Sequence, residues 1–408
     1  MKARIFFALL VLFWGCFQSL QAQEVQASDD LQKLKQDLSL TQSEVESQQP
    51  GVSQFLLRGY AHSGLQANDE EFTFVGGSFN PIFIYKQSDR LLFETELEFE
   101  LEEGELELGL EYANLSYLLS KNLTLRVGKF LVPFGIFVPN LHPAWINRFP
   151  TMPLGAGHDG ILPTSDIGLE LRGGSYLGDF KLNYSFFAVN GAQLNDGEDE
   201  PAEAGLLHHA VFPDNNKGKT IGGRIGLFPF SNSSLEIGLS AMYGKVGAKE
   251  SDYEDVKALH YAFDLNYVKT LSGISSVLDL KGQYVGVQVD DASYPDHDNP
   301  DEFVTFDNSS TAWFAQASLR PALVENKFFR NLEFVGRYSQ LKTPEGAEWH
   351  TDQTQLDLGI NYWINWRTLF KFSYRIMGGE EEDHHEEPGE EHEELGGNAF
   401  FIHWAIGF

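Results

Sequence analysis

Hydrophobic and polar residues alternate along most of the chain from residue 54 to its end, most plainly in the last segment. There Phe400, Ile402, Trp404, Ile406 and Phe408 fall on one face, and Phe401, His403, Ala405 and Gly407 on the other. A period of two belongs to a strand, whose successive side chains point to opposite faces. The same pattern predicts about sixteen strands, the first near 54–62 and the last near 399–408, most of them 9 to 15 residues long. Strands of soluble proteins usually have about five or six residues, whereas tilted membrane-spanning strands need about 9 to 11. Hydrocarbon also tolerates no open sheet edge. The prediction is therefore an all-β fold, a closed antiparallel transmembrane barrel over residues 53–408.

Short links at 87–89, 103–104 and 367–368 alternate with long stretches at 131–164, 191–218, 290–309, 342–350 and 378–398. Outer-membrane barrels have short periplasmic turns and longer external loops, so the short links are expected in the periplasm and the long stretches outside the cell.

Before residue 53 the pattern changes. Residues 1–22 carry Lys2 and Arg4, an apolar run from Ile5 to Phe17 and a small residue at Ala22, the layout of a signal peptide. A lipoprotein signal would use Cys16, but bulky Phe13 and Trp14 precede it. In residues 23–52, Leu31, Leu34, Leu38 and Val45 stand near heptad spacing behind Asp29 and Asp30, which predicts a periplasmic helical or flexible segment.

Charge narrows the class further. Loss of Lys2 and Arg4 with the signal peptide leaves 27 of the 29 bases against 59 acids, a formal charge of −32. Such a surface repels nucleic acid. The single cysteine leaves with the same segment, so no disulfide framework is available.

The stretch LLFETELEFELEEGELELGLEY gives the charge a position. Glu94, Glu96, Glu98 and Glu100 share one face of a strand; Glu105, Glu107 and Glu111 share one face of the next. A soluble sandwich would turn these rows to solvent. A membrane barrel must turn them to its lumen, because charge in lipid is costly. Arg58 and Arg126 are candidate pore-lining bases that either balance a wide polar wall or set a field across the channel. The segment FLVPFGIFVPNLHPAWINRFPTMPLGAGHDG is too aromatic for a simple external tether and too rich in Pro and Gly for one regular element. It reads as a loop folded into the barrel, with Trp145, Arg148, His158 and Asp159 as candidate constriction residues, or as a loop packed at the rim.

Residues 380–394, EEEDHHEEPGEEHEE, hold ten carboxylates and three histidines, His384, His385 and His392. Imidazole with carboxylate suits Zn²⁺, and carboxylate alone suits Ca²⁺. The spacing matches no closed structural site, and a solvated acidic loop is the competing reading. No other cofactor is implied. HExxH, G-x-S-x-G and Walker patterns are missing from the sequence, so the expectation is a channel and not an enzyme. The second class to weigh is a surface binding or receptor barrel that uses the acidic loops.

The run LRVGKFLVPFGIFVPN at 125–140, followed by TSDIGLELRGG, resembles the phosphate-selective porin O/P-like family, particularly its Bacteroidota members. The likeness extends from about residue 54 to Phe408. It implies a sixteen-stranded, trimeric outer-membrane channel for small hydrophilic solutes, set among lipid and lipopolysaccharide. It also implies that Lys129, Pro133, Phe134 and Gly135 open the constriction loop, and that terminal Phe408 is read by the barrel assembly machinery. Phosphate-selective members line the constriction with arginines and a lysine ladder. Here the bases are scattered beside glutamate rows, so the expected preference is weakly for cations and phosphate selectivity is not carried over.

Overall fold

The computed structural model describes residues 54–69, 71–102, 105–157, 160–210, 214–297, 299, 302–381 and 397–408. The signal peptide and helical segment expected before residue 53, together with His158, Asp159, His384, His385 and His392, lie outside these residues.

Sixteen strands close into one antiparallel barrel. They are β1 (Phe55–Ala67), β2 (Phe72–Lys86), β3 (Leu91–Glu102), β4 (Glu105–Ser120), β5 (Leu123–Leu131), β6 (Ser165–Leu177), β7 (Phe180–Val189) and β8 (Thr220–Phe228). The second half comprises β9 (Leu235–Lys245), β10 (Lys257–Leu271), β11 (Ser276–Val289), β12 (Ser309–Arg320), β13 (Leu332–Lys342), β14 (Thr351–Asn365), β15 (Thr368–Glu381) and β16 (Ala399–Gly407). Each strand pairs with the next in sequence, and β16 returns to β1 with Gly407 opposite Tyr60 and Phe400 opposite Ala67.

The wall is inverted relative to a water-soluble protein. Asp264, Arg337, Asp357 and Lys371 are at most 1% exposed, whereas Leu239 is 62% exposed and Phe186 56%. Only an apolar solvent outside and a polar interior make this arrangement favourable. In β16 the predicted faces hold: Phe400, Trp404 and Ile406 are exposed, and Phe401, His403 and Ala405 are buried.

One expected link is placed differently. Counting strands from β1 puts the β3–β4 connection, residues 103–104, at the same end as the long loops and not among the periplasmic turns. The physical reason is that β3 and β4 stay in register as far as Glu102 opposite Glu105, so two residues suffice to join them. Strand β5 pairs with Ala113–Ser120 of β4 and leaves its first half, Glu105–Tyr112, paired with β3 alone. Where this overhang begins, a β-bulge breaks the ladder: Glu96 faces Tyr112, Leu97 faces Leu110, and Glu111 is the extra residue between them.

Candidate functional site

The chain leaves β5 at Leu131 and turns into the barrel. Val132 N–H donates to the Thr164 carbonyl at 2.9 Å, which pinches the two ends of the loop together. Between them Gly135 adopts φ +61°, a conformation that favours glycine, and a Cβ there would stand 2.4 Å from Gln283 Oε1. This close approach lets Gly135 N–H donate to Ser240 at 3.1 Å, while Ile136 and Phe137 N–H donate to Gln283 Oε1 at 2.6 and 3.0 Å. Residues Phe137–Leu141 then form one wide helical turn. Phe134 and Phe137 are 1% and 2% exposed and pack in one cluster with Val285, Val287 and Phe314 of the wall.

Farther along, the loop is tied to the opposite wall by polar clamps. Arg337 donates to Asp357 through Nε at 3.0 Å and Nη2 at 2.9 Å, and to the carbonyl and hydroxyl of Thr151, both at 2.8 Å. Lys371 Nζ donates to the carbonyls of Ala144 at 2.7 Å and Phe149 at 3.0 Å. Arg148 pairs with Glu333 at 3.0 Å and lies 5.0 Å from the Trp363 ring. Trp145 packs against Trp363, Leu369 and Ala405, beside the 366–367 turn. That turn is at the short-turn end, so the loop runs deep through the lumen and is not a rim loop. His142, beneath it, is within 3.5 Å of the Tyr60 hydroxyl, and burial pushes its imidazole below the ordinary histidine range.

The space left beside this loop is a cavity of about 710 Å³. Its loop side is neutral, with Pro133, Gly135, Ile136, Pro139, Asn140 and Leu141; its wall side carries Glu94, Arg126, Glu170, Arg172, Arg224, Glu236 and Lys281. The wall charges are mostly paired within the wall. Arg126 meets Glu170 at 2.5 Å, Arg224 meets Asp264 at 2.5 Å and Glu236 at 3.0 Å, and Lys281 bonds Asp279. Arg172 is exposed on this wall and makes no ion pair among the described residues. Among the described loop residues no charged side chain borders the cavity, so the field runs along the wall rather than from loop to wall.

The other predicted site residues fall as follows. Glu94 borders the cavity, and Glu96, Glu98 and Glu111 cluster above it around Tyr60 and Tyr112. Glu100 pairs in register with Glu107, and Glu105 with Glu102, up the overhanging hairpin. Arg58 keeps the strand parity of Tyr60 and His62 at the periplasmic end and is exposed. Lys129 donates to the Leu110 carbonyl at 2.6 Å, beside the bulge, rather than into the cavity. Phe408 exchanges backbone hydrogen bonds with Gly59 at 2.9 and 3.2 Å.

Sequence reasoning missed Gln283, Thr151, Asp357, Glu170 and Glu236. For the four strand residues the one available signal was polar character at the inward parity; Thr151, in the loop, offered none. It also missed a group in the 190–219 loop, where Glu200, Glu203 and His208 place ligand-type atoms within 4.8 Å of one another. Asn195 Nδ2 already donates to Glu200 at 3.0 Å and Glu203 at 3.2 Å, so the protein itself satisfies those acids.

No family model matches the chain. A curated protein of Aquifex aeolicus (strain VF5), described only as uncharacterized, is 35% identical over 123 residues, which are 28% of this chain and 27% of that protein. The match thus spans about a quarter of the relative's length. Among solved structures, the fold is similar to Salmonella typhi OmpF in complex with daunomycin, with a TM-score of 0.56 and 13% identity over 87% of this chain and 97% of the other. The anion-selective porin of Comamonas acidovorans gives a TM-score of 0.50 at 12% identity over 87% and 99%. The trimer form of OmpT from Vibrio cholerae gives the same TM-score and identity over the same shares. The chain therefore has the fold of the bacterial outer-membrane porins, a closed sixteen-stranded β-barrel with an apolar outer face.

Proposed function

We propose that the protein is a porin for passive diffusion of small hydrophilic solutes and ions, weakly preferring cations. The observation that carries this reading is the unequal placement of charge around the inward loop. Beside the cavity, bases and acids pair along one wall, so the narrow region is close to neutral. Above it Glu96, Glu98, Glu100, Glu107 and Glu111 line the overhanging hairpin, with Lys129 as the neighbouring base. An acidic mouth over a balanced constriction concentrates cations without strongly retaining them. The phosphate-selective resemblance supports the porin class; the neutral loop face and acidic hairpin argue against an anion preference. Purified protein in planar bilayers should conduct, and its reversal potential across a KCl gradient should have the sign of cation preference. An anion-preferring potential would overturn the selectivity, and absence of conductance in folded protein would favour a receptor barrel.

The same proposal includes assembly as a homotrimer, contact with lipid and lipopolysaccharide, and recognition of Phe408 by the barrel assembly machinery. It also gives residues 380–394 a role in holding divalent cations near the outer mouth. Zn²⁺ affinity should weaken below about pH 6, as histidines protonate. Replacing His384, His385 and His392 with Ala should lower it while conductance stays unchanged. Equal binding heats from both proteins across that pH range would leave an acidic loop with no histidine-dependent site.

A further inference from the structure

The luminal rows of β7, β11 and β12 change character halfway along. On β11 the row is polar from the short-turn end, with Asp279, Lys281 and Gln283, and then apolar to the long-loop end, with Val285, Val287 and Val289. Strand β12 repeats this, with Ser318 and Gln316 followed by Phe314 and Ala312, and so does β7, with Asn183 and Ser185 followed by Phe187 and Val189. Water-filled barrels have polar interiors, so an apolar row facing the lumen demands a cover.

The inward loop supplies part of that cover through Phe134, Phe137, Ile161 and Leu162, and the outer loops supply more through Leu194, Ala204, Tyr294 and Phe306. Wall and cover form one buried apolar cluster, to which β9 and β10 add Met242, Ala258 and Ala262. Tyr294 is fully buried and stacks on Tyr253 at 5.6 Å and Phe306 at 5.3 Å. The outer loops are tied to one another: Trp349 Nε1 donates to the Ala204 carbonyl at 3.0 Å, and Asn308 Nδ2 to the Gly205 carbonyl at 2.8 Å. Apolar packing of this kind stays dry, as a protein interior does.

The neighbouring sector is filled by the inward loop. On β13 and β14, Ser339 accepts from Leu154 N–H at 3.2 Å and Gln355 donates to the Met152 carbonyl at 3.0 Å, beside the Arg337 clamp. Ser339 and Gln355 are 0% and 3% exposed. On β3 and β4, by contrast, Glu94, Glu98, Glu100 and Glu111 are only half-buried and Glu107 is exposed. Glu94 and Tyr112 also border the cavity, so this acidic row is continuous with it.

We propose that solutes cross the outer half of the barrel by an off-centre route along β3 and β4, because the half over β7–β12 is a permanently dry core. Glu98 and Glu111 are then the specificity-determining residues of the route, since a solute reaches the cavity by passing them. The inference rests on the porin reading and adds to it where the path runs. Opening a second path would expose the apolar cluster to water, which is unfavourable in proportion to its area.

Cysteine labelling tests both halves of the proposal. Cys16 is the chain's single cysteine, so in a Cys16→Ala background each introduced thiol reports alone. A small cationic methanethiosulfonate added to the full-length protein in liposomes should modify Glu98→Cys and Glu111→Cys quickly and remove most of their current. Val287→Cys and Ala312→Cys should react at least about a hundredfold more slowly, because the reagent meets them only through local opening, and should react fully once the barrel is unfolded. Both change side-chain volume little, and either serves if the other does not fold. Equal labelling rates for Val287→Cys and Glu98→Cys would overturn the dry core. Undiminished current after modification at Glu98 and Glu111 would overturn the route. A wild type that folds and carries no current would count against the porin reading instead, and the labelling rates would still decide between a dry core and a wet one.

Discussion

Replacing Arg337 with Ala should destabilise the barrel by about 3–5 kcal/mol, the usual cost of leaving one partner of a buried ion pair alone, and should free the inward loop. The guanidinium satisfies Asp357 twice and Thr151 twice, and lies 4.8 Å from the Phe149 ring. Asp357 in turn accepts from Thr151 at 2.9 Å and Gln355 at 2.8 Å. Strands β13 and β14 and the loop therefore share one buried network, and removing its cation strands a carboxylate as well as the loop acceptors on Asn147 and Thr151. Heat-induced unfolding in detergent should occur at lower temperature, and single channels should show larger, noisier currents. Arg337→Met with Asp357→Leu separates the two effects. It removes the stranded charge and should regain much of the thermal stability, while the loop stays unclamped and the current stays noisy. Wild-type unfolding and quiet currents in Arg337→Ala would show that the Lys371 and Gln283 contacts hold the loop without this clamp.

The barrel was legible because a membrane wall imposes the same rule on every strand. Alternation in FFIHWAIGF and the glutamate rows of LLFETELEFELEEGELEL report one face in lipid and one in the lumen, and no tertiary knowledge is needed to read them. The inward loop was legible in outline, since Pro, Gly and aromatic residues together suit neither a strand nor a solvated tether. Its anchors were not. Arg337 and Asp357 sit opposite each other in register, but nothing local says that Thr151, nearly two hundred positions earlier, completes their hydrogen bonds. Lys129 shows the same limit from the other side: a base in a recognisable motif bonds a carbonyl freed by a bulge, and a bulge is a register event between two strands that a one-strand pattern does not record. The link at 103–104 was misplaced for a related reason. Length suggested a periplasmic turn, whereas strand parity decides the end.

Neutralising the acidic hairpin should weaken cation preference, whereas neutralising Arg172 on the cavity wall should strengthen it, and the hairpin effect should be largest in dilute salt. Glu98, Glu100 and Glu107 stand on the overhang, on the strand parity that faces the lumen; Glu98 also accepts from Asn80 at 2.8 Å, a bond that glutamine preserves through its carbonyl oxygen. Charges in a wide aqueous mouth act through the electrolyte, over a Debye length of about 30 Å at 0.01 M salt and about 3 Å at 1 M. Wild-type K⁺ over Cl⁻ preference should therefore fall toward unity as salt rises. The triple Glu→Gln variant should show little preference even at 0.01 M, with a reversal potential several-fold smaller than wild type. Arg172→Gln removes a base that lines the cavity without an ion pair among the described residues, so it should move the potential the opposite way, toward stronger cation preference. Because Arg172 lies within the constriction, that shift should persist at salt concentrations where the hairpin effect has been screened. A preference that is independent of salt in wild type and unchanged in the triple variant would place the selective charges at the constriction, and the neutral balance inferred for that wall would then be wrong.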